Sequence, residues 1–494
     1  MRYLRKWFAL GAICLFTGIV NAQFIGLKTV PVATGDQGLV SPTKNLGIGG
    51  VAIALDDPYS DPFVNPAKGA QIQKIQLFSS PTYYNISDEN GSALTMPLGV
   101  MVRHKNIFGG VMLSVQQMKE PPRQTFFWGP WIENSFVDGS ALRNKQRHNF
   151  YAQGFLGKQI SENTALGLGI AYSGLKAVEG TEFLYANSNS VEQSGRVWDM
   201  RLGLLSDRPA RQMEAVLFYH TYDMTQDAKY PYWWANPDPI FGYQNFEDIT
   251  VHNRDLTRTM GLHLGYRQPI NRETGWNIGG IFTANYKDHP KIPNYEIMNI
   301  PRDPGNTWAF NFGVGISRDF APVRFGIDLI FEPVWSHTWA NAESEMISGI
   351  GTIISAGNKT VENHFEFTNW IFRMGLEQHP INNVFGFQIG IEILQYQYWL
   401  DQDNYVVPFS RSQRESWTEW SPRIGLSWHF PTVEIGYTAK VTVGTGQPGL
   451  AFGNMFVSRA EFDTSDIILA PAGSLSLQEA HVLTHHITLA IPIN

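Results

Sequence analysis

The fold is decided by the stretch NTWAFNFGVGISRDFAPVRFGIDLIFEPVW, residues 306–335. Its first part, 306–317, alternates apolar residues such as Trp308 with small or polar residues such as Asn311. Its second part, 322–333, repeats the alternation after a short polar turn. A period of two residues is typical of β-strands, and two such runs around a short turn predict a hairpin. Each run has the roughly 9–11 residues that a tilted strand needs to cross a bilayer.

Runs of the same kind recur along the chain after residue 73. Sixteen are found, at 75–83, 94–103, 107–117, 147–158, 164–175, 196–206, 212–222, 255–267, 275–287, 306–317, 322–333, 363–376, 384–398, 417–430, 432–441 and 482–493. Short connections such as 318–321 alternate with long ones such as 399–416, which is the pattern of bacterial outer-membrane barrels with their short turns in the periplasm. The predicted fold is all-β, a transmembrane antiparallel β-barrel over residues 74–494 in the outer membrane of a Gram-negative bacterium.

The two faces of each run differ in the way that a barrel in lipid requires. One face is apolar and carries aromatic residues such as Trp276 and Tyr286 toward its ends. The other is largely Gly, Asn, Thr, Gln and Ser, as at Asn277, Gly279 and Thr283. Charged residues make up only 16% of the chain, against about 25% in an average soluble domain. We expect the apolar face to contact lipid and the small neutral face to line the lumen.

The N-terminus has the pattern of a secretory signal peptide. Basic residues from Arg2 to Lys6 precede an apolar run, and a small-residue sequence ends at Ala22, which predicts a signal peptide over residues 1–22. The only cysteine, Cys14, lies in this segment, so the mature chain can form no disulfide. No later stretch is apolar over 18 residues, so no spanning helix is predicted. The net charge of −7, without a basic stripe, argues against a nucleic-acid partner.

Residues 23–73 do not alternate and are rich in Gly, Ala, Pro and Asp. Within them a glycine- and alanine-rich run and an acidic turn precede Phe63 and the triplet Asn65-Pro66-Ala67. In this position the motif resembles the N-terminal region of the FadL-type outer-membrane transporters. It resembles equally that of the PorV-type barrels of a Gram-negative secretion system. The resemblance implies that residues 23–73 form a plug inside the barrel. It also implies fourteen strands, so the expected number is 14–16.

The resemblance implies two alternative functions. A FadL-like barrel would pass hydrophobic small molecules across the outer membrane by capture at the outer loops, a shift of the plug and exit through a gap in the wall. A PorV-like barrel would bind secreted proteins and anchor them at the cell surface. A third alternative is a soluble exported β-protein that binds sugar or protein, with the apolar faces enclosed. The expected partners are therefore outer-membrane lipid and either a hydrophobic small molecule or a secreted protein.

Two groups of residues are candidates for these functions. Aromatic clusters in the long loops are expected to collect a hydrophobic ligand or dock a partner, or to pack over the barrel mouth, since exposed apolar groups are costly unless covered. They contain Phe126, Phe127, Trp128, Trp131, Trp233 and Trp234. Gly109 and Gly110 in the third run are a candidate lateral gate, because paired glycines weaken a ladder and permit a kink. The alternative is that they only relieve crowding against the plug.

The sequence contains no constellation that predicts an enzyme, a cofactor or a metal site. Asp56, Asp57 and Asp61 offer carboxylates of the kind that calcium prefers, but the neighbouring prolines favour a plain turn. His485 and His486 are adjacent in a strand and therefore face opposite sides. We expect a non-enzymatic protein without a cofactor.

Overall fold

The computed structural model describes residues 25–73, 75–119, 146–179, 190–233, 246–271, 273–290, 305–342, 344–381, 384–406, 408–448 and 477–493. The expected signal peptide, residues 1–22, lies outside this part of the chain. So do the loop aromatics Phe126, Phe127, Trp128, Trp131 and Trp234.

The described residues form nineteen strands, most of them much longer than the connections between them. They are β1 Ile75–Ser79, β2 Thr82–Ile86, β3 Ser92–His104, β4 Ile107–Lys119, β5 Gln146–Ser161, β6 Thr164–Leu175, β7 Ser190–Arg208, β8 Arg211–Trp233, β9 Phe246–Asn271, β10 Trp276–His289, β11 Gly305–Phe320, β12 Val323–Asn341, β13 Met346–Ile347, β14 Ile353–Ile354, β15 Lys359–Ile381, β16 Phe385–Asn404, β17 Phe409–His429, β18 Glu434–Pro448 and β19 Leu477–Ile493. Strands β13 and β14 pair only with each other, in the connection between β12 and β15.

The remaining seventeen strands form one antiparallel sheet that closes on itself. Strands β1 and β2 share a single position, because both pair with β3 on one side and with β19 on the other. The sheet therefore has sixteen positions around the ring, and each of the sixteen alternating runs corresponds to one of them. This confirms the predicted antiparallel barrel at the upper end of the expected 14–16 strands.

The strands continue beyond the predicted runs at the long-loop end. The prediction of a long loop over 399–416 is wrong, since β16 and β17 pair from Phe385 to Asn404 and are joined by residues 405–408. Period-two alternation appears only where one face is apolar. Above the membrane the outer face of a hairpin meets water and carries polar residues such as Asp401 and Asp403, so the sequence signal ends while the backbone hydrogen bonds continue.

The direction of the side chains confirms that the apolar face points out of the barrel. Leu98, Leu168 and Val314 are 68%, 64% and 61% exposed, although each lies within a paired strand. Thr283 and Asn285, on the opposite face, are fully buried in the lumen. The alternative of a soluble β-protein with enclosed apolar side chains does not fit this structure. Its apolar side chains form the outer surface, where exposure to water is unfavourable and contact with lipid is favourable. The structure describes no helix that is long and apolar enough to cross a membrane.

The inner face differs from the expected lining of small neutral residues. It also carries many buried charged residues, whose partners lie on the same strand, on a neighbouring strand or on the N-terminal segment. They include Asp199, Arg201, Lys287, Arg324, Asp328, Glu332, Glu377, Glu419, Arg423 and Lys440. Asp199 and Arg201 pair within one strand, but Lys440 pairs with Asp36 and Lys28 with Glu419, which are far apart in sequence, so the alternation pattern could not reveal these contacts.

The N-terminal residues 25–73 lie inside the barrel and fill much of its lumen, which confirms the expected plug. Their regular structure consists of a 3-10 helix Leu46–Ile48, the short helix α1 Asp61–Val64 and a 3-10 helix Pro66–Gln71. Glycines in the wall allow the plug backbone to approach. A β-carbon at Gly279 would lie 2.6 Å from the carbonyl oxygen of Ile53.

Candidate functional site

The plug motif contacts the barrel wall through all four of its residues. The ring of Phe63 packs edge-on against Phe155, with ring centroids 5.2 Å apart. The Asn65 side chain accepts a hydrogen bond from Ala67 N at 3.1 Å, which caps the following 3-10 helix, and donates one to Glu214 at 2.8 Å. A β-carbon at Gly169 of β6 would lie 2.8 Å from the Pro66 ring. The motif is thus placed as an anchor against strands β5 to β8.

A buried ionic cluster follows this anchor. The Lys68 ammonium lies 3.0 Å from a carboxylate oxygen of Asp61, 3.4 Å from Glu214 and 3.6 Å from Asp56. Burial disfavours the charged form of Lys68, but the three carboxylates outweigh burial and raise its pKa. Arg267 of β9 forms a further ion pair with Asp56. One plug cation and one wall cation therefore hold three carboxylates together.

Within this cluster Asp61 is the group with the least favourable surroundings. Burial raises its pKa to about 7, against the partial compensation of Lys68 and with further raising by Asp56 and Asp57. The two cations Lys68 and Arg267 cannot neutralise all three carboxylates of the cluster. The cluster therefore contains one carboxyl group that takes up or releases a proton near neutral pH.

The middle of the plug is fastened to the opposite wall by polar contacts. The Arg324 guanidinium donates to Asn45 Oδ1 at 3.0 Å and to the carbonyl oxygen of Asp56 at 2.8 Å. The Asp328 carboxylate accepts from the backbone N–H groups of Ala52 and Ile53 at 2.7 and 3.2 Å. The half of the lumen nearest the short turns is thereby closed by hydrogen bonds and ion pairs.

A cavity of about 380 Å³ remains between the plug and the wall in this half. Its lining is mixed and contains several charged side chains, namely Asp36, Asp56, Arg373, Glu392, Arg423 and Lys440. Glu392 pairs with Arg373 at 2.6 Å, and Lys440 pairs with Asp36 of the plug at 2.5 Å. Such a lining suits water and ions, and an apolar molecule passing here would separate charged pairs from their partners.

A second group of inward-facing apolar side chains lies in the outer half of the lumen, apart from the group around Phe63 and Phe155. The second group comes from β11, β12, β15 and β16 and surrounds the first described residues of the plug. The cluster, called here the aromatic pocket, consists of Ala309, Val334, Phe365, Phe367, Tyr398 and Leu400, with Ile25 and Leu27 packed among them and Trp417 at its side. Lys28 fixes this end of the plug through a buried ion pair of 2.6 Å with Glu419. The Lys287 ammonium donates to the carbonyl oxygen of Ile25.

The aromatic pocket borders two interruptions in the barrel wall. Between β11 and β12 the pairing stops after Ala309–Val334 and resumes at Phe312–Phe331. Pro333 lies in this interval and has no N–H to donate.

The second interruption lies between β15 and β16. There the pairing stops at Phe367–Tyr398 and resumes at Trp370–Gln395. Within it the Asn369 side chain accepts a hydrogen bond from Gln397 N at 3.3 Å. Strands β12 and β15 are paired with each other without a break from Val323 to Ala340. They form a hairpin whose two outer edges are both weakened beside the pocket.

Gly109 and Gly110 lie in a part of the wall that is fully paired. They oppose Val102 and Met101 of β3 on one side and residues 156 and 155 of β5 on the other, without a break in either ladder. A β-carbon at Gly110 would lie 2.6 Å from the ring of Phe155. In this structure the two glycines make room for Phe155, which itself packs on the plug through Phe63.

Of the predicted loop aromatics, only Trp233 belongs to the described backbone, as the last residue of β8. The aromatic pocket was not among the candidate sites. One signal for it is present in the sequence: in β15 the apolar phase changes, since Trp370 and Met374 face outward and Phe365 and Phe367, an odd number of residues away, face inward. Such a phase change within one strand marks where the lining turns apolar.

Several known structures are similar in overall arrangement. A FadL homologue from Pseudomonas aeruginosa matches at 12% identity and a TM-score of 0.43, over 98% of this chain and 100% of its own. The Ralstonia pickettii toluene transporter TbuX matches at 11% and 0.40, over 91% and 97%. The CymD monoaromatic hydrocarbon channel matches at 10% and 0.39, over 92% and 98%.

No protein-family model matches the chain, and neither does any curated protein. At identities of 12% and below, the assignment of the fold rests on the closed strand pairing and the outward apolar face. Together these features define the chain as a plugged, membrane-spanning β-barrel.

Proposed function

We propose that the protein passes hydrophobic small molecules across the outer membrane of a Gram-negative bacterium. The observation that supports this most directly is the aromatic pocket, which lies in the outer half of the lumen beside two weakened seams of the wall. Apolar pockets with a few polar groups are the usual binding sites for small apolar ligands. The residues proposed to contact the ligand are Phe365, Phe367, Tyr398 and Trp417.

The proposed route leaves the barrel sideways. A ligand in the pocket faces a charged plug below it, held by the contacts of Arg324, Asp328 and Lys68. Moving an apolar molecule through that region would cost several buried ion pairs. Lipid lies on the other side of the wall, and the β12–β15 hairpin has weakened edges at the level of the pocket. Displacement of Ile25 and Leu27 by the ligand and movement of this hairpin would open a path into the membrane.

The other candidate residues have secondary places in this proposal. Phe126, Phe127, Trp128, Trp131, Trp233 and Trp234 are proposed to collect the ligand at the outer surface before it reaches the pocket. Phe63, Asn65, Pro66 and Ala67 are proposed to anchor the plug. Gly109 and Gly110 are a gate only if their fully paired ladders open in another state of the protein.

The test compares uptake of a radiolabelled aromatic hydrocarbon and a radiolabelled long-chain fatty acid by cells that express the protein. The double variant F365Q/F367Q places amides in the pocket and should reduce uptake of at least one ligand about tenfold or more, since each lost apolar contact weakens binding by about 1.5–3 kcal/mol. The matched control is F312Q, in which a lipid-facing ring of the same barrel side is changed. Equal uptake by both variants, with normal heat-dependent gel mobility, would remove the pocket from the mechanism.

A role in anchoring secreted proteins is the competing proposal. Cross-linking on intact cells separates the two, because the anchoring role requires a stoichiometric protein partner on the outer surface. Transport requires instead that deletion of the gene reduces growth on hydrophobic substrates.

A further inference from the structure

Three potential metal ligands come together on the outside of the barrel, at the end of the strands where the long connections lie. They are His337 of β12 and Glu362 and His364 of β15, and their ligand atoms all lie within 4.8 Å of one another. His337 and His364 are direct partners across the β12–β15 pair. Their rings are stacked, with centroids 4.3 Å apart and an angle of 8° between the planes.

The carboxylate of Glu362 completes the cluster. Its Oε1 lies 2.5 Å from His337 Nε2 and 3.5 Å from His364 Nε2. Its Oε2 accepts a hydrogen bond from the Tyr405 hydroxyl at 3.3 Å. Tyr405 lies in the turn that joins β16 to β17, and its N–H donates to Thr360 O at 2.8 Å. The cluster therefore links the β12–β15 hairpin to the neighbouring turn.

We propose that His337, Glu362 and His364 bind one transition-metal ion at the cell surface. Two imidazole nitrogens and one carboxylate oxygen form a ligand set that suits Zn²⁺, Ni²⁺ or Cu²⁺ and is poorly suited to Ca²⁺ or Mg²⁺, which take oxygen ligands. Cross-strand partners of an antiparallel pair have β-carbons about 4.5–5.5 Å apart, which lets both rings reach one ion. The Tyr405 hydroxyl would act as an outer partner that orients the carboxylate.

Lys359 is the group that competes with the metal. Its ammonium contacts Glu362 Oε1 and lies 5.6 Å from the centre of the Trp339 ring. This cation compensates the carboxylate when no metal is bound. Its side chain is exposed at the surface, so it can move away when a metal ion takes its place. Removal of Lys359 should therefore strengthen metal binding. If the cluster were only a set of salt bridges, removal of Lys359 would not increase the affinity for metal.

The experiment measures Zn²⁺, Ni²⁺, Cu²⁺ and Ca²⁺ binding by titration calorimetry with the full mature protein in detergent, purified without a polyhistidine tag. We expect one site per chain for the transition metals and none for Ca²⁺. The variants H337A and H364A should each weaken binding at least tenfold, in line with the loss of a ligand. The matched control H252A removes an exposed histidine that pairs with Asp227 at 2.9 Å on another part of the barrel, and it should bind as the native protein does.

The variant K359M supplies the second readout. It should bind Zn²⁺ about two- to fivefold more tightly, since the metal no longer displaces an exposed ion pair. Cu²⁺ bound to the native protein should give a visible absorption band that H337A and H364A lack. The proposal is overturned if the native protein binds no transition metal at submillimolar concentration. It is equally overturned if H337A and H364A bind as the H252A control does. Heat-dependent gel mobility establishes that each variant is folded.

Discussion

Two regions of the lumen, one in each half, are built from opposite chemistry, although the same sixteen strands enclose both. In the half near the short turns, Lys68, Arg324 and Asp328 tie the plug to the wall through ion pairs and hydrogen bonds. In the outer half, Ile25 and Leu27 occupy a pocket of aromatic and aliphatic side chains. The polar contacts are directional and resist displacement, whereas apolar contacts can be replaced by those of any apolar molecule of suitable size. We call the polar contacts of Lys68, Arg324 and Asp328 the seal, because they hold the plug in place. We call the aromatic pocket the exchangeable site, because a ligand can replace Ile25 and Leu27 there.

The seal should be the part most sensitive to a single change. The variant K68M leaves the carboxylates of Asp61, Glu214 and Asp56 buried without their shared cation, and removal of one partner of a buried ion pair typically costs about 3–5 kcal/mol. We expect the barrel to fold, the plug to loosen and the ion conductance of single channels in a planar bilayer to rise. The control is K176M, whose exposed ammonium bonds only to Ser194 at 2.9 Å among the contacts that the structure describes. A conductance equal to that of K176M would contradict the role of Lys68.

The exchangeable site should respond to removal of its occupant. The double variant I25S/L27S gives up two buried apolar side chains, each contributing about 1.5–3 kcal/mol. A ligand then competes with a weaker occupant, so the concentration for half-maximal binding should fall about tenfold or more. Fluorescence titration with an environment-sensitive apolar dye measures this. V40S is the control, because Val40 is a buried plug residue in a separate cluster. An unchanged or higher half-maximal concentration would mean that the plug end does not occupy the ligand site.

The wall beside the pocket should show a smaller effect. P333V restores an N–H in the interruption between β11 and β12, and one additional hydrogen bond contributes about 0.5–1.5 kcal/mol. If the hairpin must move, uptake should slow about two- to tenfold while ligand binding to the purified protein stays the same. P97V changes a proline of β3, which lies opposite β1 and away from the pocket, and should not slow uptake. Equal rates for P333V and P97V would place the exit elsewhere.

The pH dependence of plug docking should be the smallest effect, because several groups besides Asp61 hold the plug in place. The pKa of Asp61 is raised to about 7 in the docked plug, against an ordinary value of about 3.9. The docked plug therefore binds the extra proton between these values, so the contribution of Asp61 favours docking at low pH and is lost as the pH rises through about 7. Asp56, Asp57, Glu214 and Lys68 face Asp61. Despite burial, the pKa of Asp56 is lowered by Lys68 and Arg267, so Asp56 does not titrate in this window.

This pH effect is measured as fluctuations of the ion current through single channels in a planar bilayer. In the native protein they should increase from pH 5 to pH 8, and in D61N they should be nearly independent of pH. A native protein whose fluctuations decrease with rising pH would show that the sign is wrong.

The comparison also shows which features could be predicted from sequence. The outward direction of Leu98 and Val314 and the inward direction of Thr283 follow from period two, which is a local property of each run. The prediction of a long loop at 399–416 was wrong. The alternation of apolar and polar residues ends above the membrane, whereas the pairing of β16 with β17 continues. The inner charges were underestimated partly because some of their partners, such as Asp56 for Arg267, lie far away in the sequence.

The sequence by itself determined a barrel of 14–16 strands, its apolar side toward lipid and a separate N-terminal segment, because alternation and connection length are local properties of the chain. Only the tertiary structure decided that β1 and β2 together close the ring against β19 and that Ile25 reaches the aromatic pocket. It alone placed His337 opposite His364. The physical reason is that these relations depend on the register between strands and on the path of the plug through the lumen. Both are set by packing between residues far apart in the chain.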